Sequence, residues 1–523
     1  MSVSAVPAQV HHLITTFVDA PDDRLGTEFQ RLTGALWRDG ALTDLAHPAT
    51  QALTARFGGV DDRRKGYLAV LLGLLAEAEY PATDGPVAAA IGDDLDTYIG
   101  LLSGPDAGDP LFLALCYLLA HFPAGRDRVL AAAGRAGLGE DDHSRLDRAL
   151  AGLDPDRPVL GRVFPSPAAW RRYGVGGDFD QRWIETMSAE QIVRGWQADT
   201  LTAFAGLGAK AYWAVSNWTS PATPPAVAFP PSEQIPRATD PATGIFAAHA
   251  AALRCPGCGG TFEFGPRGAW CAKCDATYPI ASGILDLTKT VTGDQADDFN
   301  FMLADTPAMA LFYEELARPN FVRLCGGNWD GAVTPAVEDE YIAQHVRPVD
   351  GPVLDLGAGA GRWTGALADT VGADRVIALD LNGPMLSMLR TRLTGVPAIM
   401  SGAVPLPFND ASLGAVLCWN ALQAFAGDAP AAIAEIGRCL RPGGTFSVMT
   451  YRNSDDPVYR YFVASHIPAE YSAGPRPFDL GSLKEWLAAA GLRVREEWGP
   501  GTFVFITAER VQAPPPAQPP SPC

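Results

Sequence analysis

Four cysteines stand in two tight pairs, Cys255-Pro-Gly-Cys258 and Cys271-Ala-Lys-Cys274, with twelve residues between them. Each C-x-x-C turn can present two thiolates to one ion, and the intervening loop closes a tetrahedron, the geometry Zn²⁺ takes in structural sites. Four sulfurs leave no position for water, so a structural Zn²⁺ is expected, although iron suits the same spacing. The competing readings are two free thiol pairs or a redox dithiol, and the doubled motif argues against both. A second chemistry-bearing run is Val353-Leu354-Asp355-Leu356-Gly357-Ala358-Gly359-Ala360-Gly361. It predicts an apolar strand, a glycine-rich turn and a helix from Thr364 to Val371, whose first N–H groups face a ligand brought close by the glycines. A second strand, Arg375 to Asp380, ends in a carboxylate nineteen residues after Gly361, suitably placed for both hydroxyls of a ribose. Asp355, two residues before the first glycine, would repel a pyrophosphate and suit an amino group, which favours S-adenosylmethionine over NAD.

The elements that must position these residues follow from composition. A chain of 523 residues is too long for one core and predicts about three domains. Residues 1–218 are rich in Ala, Leu and Arg at helical spacing, with Tyr67–Leu75 and Arg128–Ala133 as core helices, and read as an all-α domain. Its aromatic stretch from Trp170 to Trp218 reads as core packing ahead of a ligand wall. A Pro-rich linker (219–249), a zinc ribbon (250–290) flanked by the short strands Thr261–Phe264 and Thr277–Ile280, an α/β domain (291–511) and a Pro-rich disordered tail (512–523) follow. The longest oily run, Pro110–Phe122, is shorter than the roughly 20 residues a bilayer span needs, and the start lacks a basic region before an apolar run. We therefore expect no membrane association and a cytoplasmic protein. The formal charge of −19, with a net of only +1 across the ribbon, argues against nucleic acid as the substrate.

Between about Asp298 and Ala508 the sequence resembles the class I S-adenosylmethionine-dependent methyltransferases of the type 11 kind. The matching blocks are Val353–Gly361, Leu379–Leu386, Leu406–Ser412, Glu435–Gly444 and the strand around Phe503–Phe505. The ribbon, with Tyr278-Pro279-Ile280 and Gly283-Ile284, is similar to the zinc module preceding some of these enzymes, including ribosomal RNA methyltransferases, and Phe312–Pro319 fits the connector. The resemblance implies a Rossmann-like seven-stranded sheet, so the fold class is multidomain α + α/β. It also implies that Gly357, Gly359 and Gly361 underlie the methionine part of S-adenosylmethionine or S-adenosylhomocysteine. Asp355 would hold the amino group and Asp380 the ribose, with Leu381 and Met385 against the adenine. Gly402 and Ala403 form the third block, and Trp419, Asn420 and Gln423 line the cleft. Gly402 and Gly414 stand where the family commonly has acids.

Methyl transfer relies on alignment and needs a base only where the acceptor arrives protonated. The catalytic candidates are His466, Asn420 and Tyr313, with His345 and Glu340 as other bases and Tyr451, Tyr459 and Tyr461 as shaping groups. His466 lies in an insertion, Arg452–Pro477, between the last core elements. Cys325, Cys418 and Cys439 read as buried thiols. The leading reading is methylation of a small molecule in bacterial specialised metabolism, with the helical domain available to a protein partner. The alternatives are a non-methylating displacement such as ring closure, ribosomal RNA methylation, or a non-catalytic scaffold.

Overall fold

The structure, a computed structural model, describes residues 7–82, 84–154, 185, 187–222, 244–265, 268–288, 325–465 and 476–511. His466, Tyr313, Trp170, Tyr173, Trp183, the 312–319 connector, the tail and most of the Pro-rich linker lie outside the described residues. Two units are present. One comprises Met1–Pro225, Val322–Gly331 and Ser454–Glu470, and the other Ala226–Phe321, Ala332–Asn453 and Tyr471–Cys523. No described helix is long and apolar enough to cross a membrane.

The first unit is helical: α1 (Ala8–Val18), α2 (Leu25–Leu36), α3 (Ala46–Phe57), α4 (Asp62–Glu77), α5 (Pro86–Gly92), α6 (Leu95–Leu101), α7 (Pro110–Leu119), α8 (Arg126–Arg135), α9 (Glu140–Leu150) and α10 (Ala189–Asn217), with a small hairpin of β1 (Trp37–Arg38) and β2 (Ala41–Leu42). Asp61 starts α4 by accepting the Arg64 N–H, and Asp109 starts α7 by accepting that of Leu111, as side-chain caps do. All of α7 and the α4 run Gly66–Glu77 are buried, so these two helices form the centre of the unit. Trp196 and Tyr212 on α10 are buried as well, and Trp196 joins Tyr80, His121 and Phe204 around a cavity of about 240 Å³.

The insertion that begins at Arg452 supplies a helix, Pro457–Ser465, that belongs to this helical unit. Asp456 accepts from Gln30 Nε2 at 2.9 Å and Tyr212 OH at 2.5 Å. The Glu77 carboxylate accepts from Tyr117 OH at 2.6 Å and Tyr461 OH at 2.8 Å, with His121 Nε2 at 3.4 Å. A carboxylate this deeply buried is tolerated because donors surround it. Burial first, then the Glu77 charge, pushes the Tyr117 and Tyr461 phenols well above their ordinary range, so both remain protonated donors. Glu77→Ala, which strands two phenols, should destabilise the helical unit by about 3 kcal/mol, and Tyr461→Phe by about 1 kcal/mol. Urea unfolding followed by circular dichroism checks both values. Equal midpoints for wild type and Glu77→Ala would contradict this reading.

The second unit is built on one eleven-stranded sheet in the order β12-β13-β11-β10-β7-β8-β9-β6-β5-β4-β3. Its strands are β3 (Phe262–Gly265), β4 (Gly268–Cys271), β5 (Thr277–Ala281), β6 (Ile284–Asp286), β7 (Val353–Leu356), β8 (Val376–Asp380), β9 (Ala398–Met400), β10 (Leu413–Trp419), β11 (Leu440–Tyr451), β12 (Leu492–Trp498) and β13 (Phe503–Arg510). The helices are α11 (Pro335–His345), α12 (Arg362–Val371), α13 (Gly383–Arg392), α14 (Ala429–Cys439) and α15 (Leu480–Ala489). Strands β7 to β12 with β13 make the expected seven-stranded Rossmann-like part. β9, β8, β7, β10 and β11 are parallel neighbours, and β13 inserts antiparallel between β11 and β12. Every residue of β7 and β10 is buried, as continuous apolar runs in a covered parallel sheet must be. The chain leaves β7 toward β8 and β9, then returns to place β10 on β7's other side. That reversal opens a crevice at the carboxyl ends, where open α/β sheets bind ligands.

Candidate functional site

β7 ends in Asp355 and Leu356, and the turn that follows is anchored to β8: the N–H groups of Gly357 and Ala358 both donate to Leu379 O, at 2.8 and 3.1 Å. The glycines differ in what surrounds them. A Cβ at Gly357 would lie 2.3 Å from Ala421 Cβ and one at Gly361 2.8 Å from Leu389 Cγ, both at positive φ, whereas one at Gly359 would meet nothing within 4 Å. Gly357 and Gly361 thus close the turn onto its own protein, and Gly359 leaves open volume beside the backbone, where a ligand can approach. Gly402 also faces open space, while Gly414 does not: its Cβ would fall 2.4 Å from Val349 O. The close backbone of the β10 entry accounts for glycine at 414 where the family commonly has an acid.

The two acids at this edge are held differently. Asp380 Oδ2 accepts the Gly359 N–H at 2.8 Å and Oδ1 the Asn382 N–H at 2.8 Å, so one carboxylate fixes the turn and the start of α13 together. Burial raises its pKa, partly offset by those backbone donors. Asn382 in turn caps α13 by accepting the Met385 N–H, which sets Leu381 and Met385 beside Asp380. Asp355, 1% exposed, accepts from Thr364 Oγ1 at 2.6 Å. Burial, opposed by that bond and reinforced by the Asp380 charge, pushes its pKa up to about 7.

At the ends of β10 and β11 lies a buried polar network. Asn420, in the left-handed region at φ 54°, accepts through Oδ1 from Gln423 Nε2 and Tyr451 OH, each at 2.9 Å, and Gln423 Oε1 accepts from Thr450 Oγ1 at 2.9 Å. Asn420 is therefore held rigidly at the crevice, in a conformation that asparagine tolerates better than most residues. Trp419 is only 1% exposed; it packs against Tyr341 and Phe505, and its indole N–H donates to Glu338 Oε1 at 3.2 Å. It forms a wall behind the crevice, and the buried Glu338 is a carboxylate that sequence reasoning passed over in favour of Glu340. Glu340 is exposed and bonded to Gln344. His345 packs on Tyr341 at the far end of α11, next to Arg347, whose N–H bonds Thr445, a residue of β11 level with the first residue of β7 across β10. His345 therefore lies toward the amino ends of the strands, away from the crevice. In the helical unit Tyr459 is buried and Tyr461 half-buried. Burial pushes the Cys325, Cys418 and Cys439 thiols up, which keeps them inert.

The four ribbon cysteines place their Sγ atoms within 4.8 Å of one another. Cys255–Cys274 and Cys258–Cys271 are 3.8 and 3.4 Å apart; Zn–S bonds of about 2.3 Å in a tetrahedron give edges of about 3.8 Å. The donor set and its size thus fit a Cys₄ zinc site. Burial opposes ionisation of Cys271, but backbone N–H groups of Lys273 and Cys274 outweigh it and bring this thiol down to about 7, so it would be the first to offer a thiolate.

Residues 353–444 match the methyltransferase domain family. An uncharacterized chloroplastic methyltransferase of Arabidopsis thaliana is 28% identical over 259 residues, covering 46% of this chain and 69% of that protein. An uncharacterized methyltransferase of Mycobacterium bovis is 42% identical over 97 residues, 18% of this chain and 38% of that protein. A trans-aconitate 2-methyltransferase of Acidovorax is 31% identical over 148 residues, 25% of this chain and 54% of that protein. Among solved structures, the YcgJ protein from Bacillus is 19% identical and covers 33% of this chain and 97% of that chain, at a TM-score of 0.28.

Proposed function

Because this chain carries a class I S-adenosylmethionine-dependent methyltransferase domain, we propose that it methylates a small-molecule acceptor bound at the carboxyl ends of β7, β8 and β10. The observation that carries this reading is the Gly357–Gly361 turn, with open space at Gly359, set between the buried carboxylate of Asp355 and the half-buried one of Asp380. When bound, S-adenosylmethionine supplies a methyl carbon activated by its sulfonium. Asp380 would then hold the ribose, Leu381 and Met385 would border the adenine, with Gly402 and Ala403 beyond, and Asp355 would pair with the amino group. Asn420, tied by Gln423 and Tyr451, would position the acceptor. His466 is proposed to take the acceptor's proton where it has one to lose, with Tyr313 shaping the site around it. The four cysteines would hold a structural Zn²⁺.

Support for a small acceptor comes from the charge of −19, which disfavours a phosphate backbone as substrate, and from a relative named for methylating trans-aconitate. We further propose a cytoplasmic protein, with the helical unit open to a protein partner. The test is incubation with methyl-labelled S-adenosylmethionine and fractionated metabolites, read by mass spectrometry. The expected product gains one CH₂ as S-adenosylhomocysteine forms; a product of unchanged composition would instead favour a non-methylating displacement.

The Asp355 pKa of about 7 has a directional consequence. The carboxylate is the form that pairs with an ammonium, so affinity for S-adenosylhomocysteine should rise with pH up to about 7 and then level off. At pH 6 binding should be about tenfold weaker than at pH 8. Since the folded pKa lies above the ordinary 3.8, the same group lowers fold stability as pH rises from about 4 to 7. Calorimetry at both pH values, with Asp355→Asn as control, checks the binding slope; a flat profile in wild type would contradict the pairing.

A further inference from the structure

The ribbon is bonded into the adenosine side of the sheet at three places. β6 pairs in parallel with β9, Ile284 opposite Ala398 and Asp286 opposite Met400, and the Leu287 N–H continues the ladder to Met400 O at 2.9 Å. The segment entering the ribbon grips the chain a few residues further on: Leu253 bridges Phe408, the Arg254 N–H donates to Pro407 O at 3.0 Å, and the Asn409 N–H donates to Ala252 O at 2.8 Å. Between these two anchors lies the stretch from Ser401 to Pro405, which contains Gly402 and Ala403. Ser401 is also tied to the ribose acid's backbone, its N–H donating to Asp380 O at 3.1 Å.

The third place is Arg390 on α13, 2% exposed. Its Nε donates to Ser282 O in the β5–β6 turn at 3.2 Å, and its Nη1 to Leu393 O and Thr394 O at 3.0 and 2.7 Å. One guanidinium thus ties the ribbon's hairpin turn to the turn closing α13, the helix that begins beside Asp380. The hairpin is shaped for it: Gly283 has φ 74°, and a Cβ there would lie 2.5 Å from Arg390 Nε. The ribbon's Cys255, Cys271, Tyr278 and Leu285 also share one apolar cluster with Leu379, Ile399, Leu406 and Phe408.

We propose that metal occupancy of the four-cysteine ribbon sets the crevice's affinity for the adenosyl ligand, acting through β9 and the 401–405 stretch, with Arg390 as the positioning residue. This rests on the cofactor reading above. β9 is three residues long and is held between β8 and β6. A ribbon without metal has little core of its own to keep β6 in place, and β9 then becomes a short edge strand with one partner.

The experiment uses the full chain and S-adenosylhomocysteine as probe, titrated calorimetrically into zinc-loaded protein, into chelator-stripped protein and into Arg390→Met with its zinc retained. Hydrogen exchange of residues 398–403 and of β10–β11 is read in parallel. Expected are at least tenfold weaker binding on stripping, recovery on adding zinc back, and at least fivefold weaker binding in Arg390→Met, with faster exchange at 398–403 and unchanged protection in β10–β11. Equal affinity in loaded and stripped protein overturns the proposal. If stripping also unfolds β10–β11, Arg390→Met decides, and wild-type affinity in that variant overturns it. Absence of binding in every sample, zinc-loaded wild type included, overturns the cofactor reading itself.

Discussion

Asp380→Ala is expected to weaken S-adenosylhomocysteine binding about thirtyfold, close to 2 kcal/mol, the usual worth of charge-assisted hydrogen bonds to a carboxylate. Two losses add in this variant. The ribose hydroxyls lose their acceptor, and the turn loses the bonds by which Asp380 holds the N–H groups of Gly359 and Asn382. Asp380→Asn separates them, because an amide oxygen still serves one backbone donor while the charge is gone; its affinity should fall between the other two. Calorimetry reports the affinities, and the unfolding midpoint confirms that the sheet is intact. An Asp380→Ala protein that binds within twofold of wild type would refute the ribose placement.

The other large effect belongs to the ribbon. Cys271→Ser removes a fully buried thiol of the proposed metal site, one whose backbone N–H donors bring it down to about 7. Structural zinc sites contribute on the order of 10 kcal/mol to the small modules they staple, and the oxygen ligand weakens the site in proportion. Zinc content should fall from one ion per chain to well below half, and proteolytic cleavage should move into residues 250–288 while β7–β11 remain resistant. Full zinc content and an uncut ribbon in this variant would show that the cysteines do not act as a metal site.

Much of this architecture was readable residue by residue. The Gly357–Gly361 turn and Asp380 are local: apolar strand, glycines and carboxylate lie within one β-turn-α-β unit, and their spacing alone places them at a strand end. The cysteine pairs are local in the same sense. Non-local partners were not readable. Glu338 meets Trp419 across 81 residues, and although the Thr334-Pro335 helix start marks α11, nothing in its periodicity says which strand end it caps. Thr364 sits nine residues after Asp355, yet only the packing of α12 turns its hydroxyl onto the acid. Strand order is similarly silent in sequence, and the 250–290 segment, read as a module in its own right, continues the large sheet because β6 finds β9. The Pro457–Ser465 helix of the 452–477 insertion folds into the helical unit through Asp456 and Tyr461, polar contacts that no hydrophobic pattern records.

The central claim is that the turn after β7 cradles an adenosyl ligand, and a crystal structure of the full chain grown with saturating S-adenosylhomocysteine tests it most directly. The account predicts the ribose on Asp380, the amino group toward Asp355 and the methionine portion lying along Gly359. An empty crevice at saturation, or the nucleoside bound elsewhere on the chain, would contradict it.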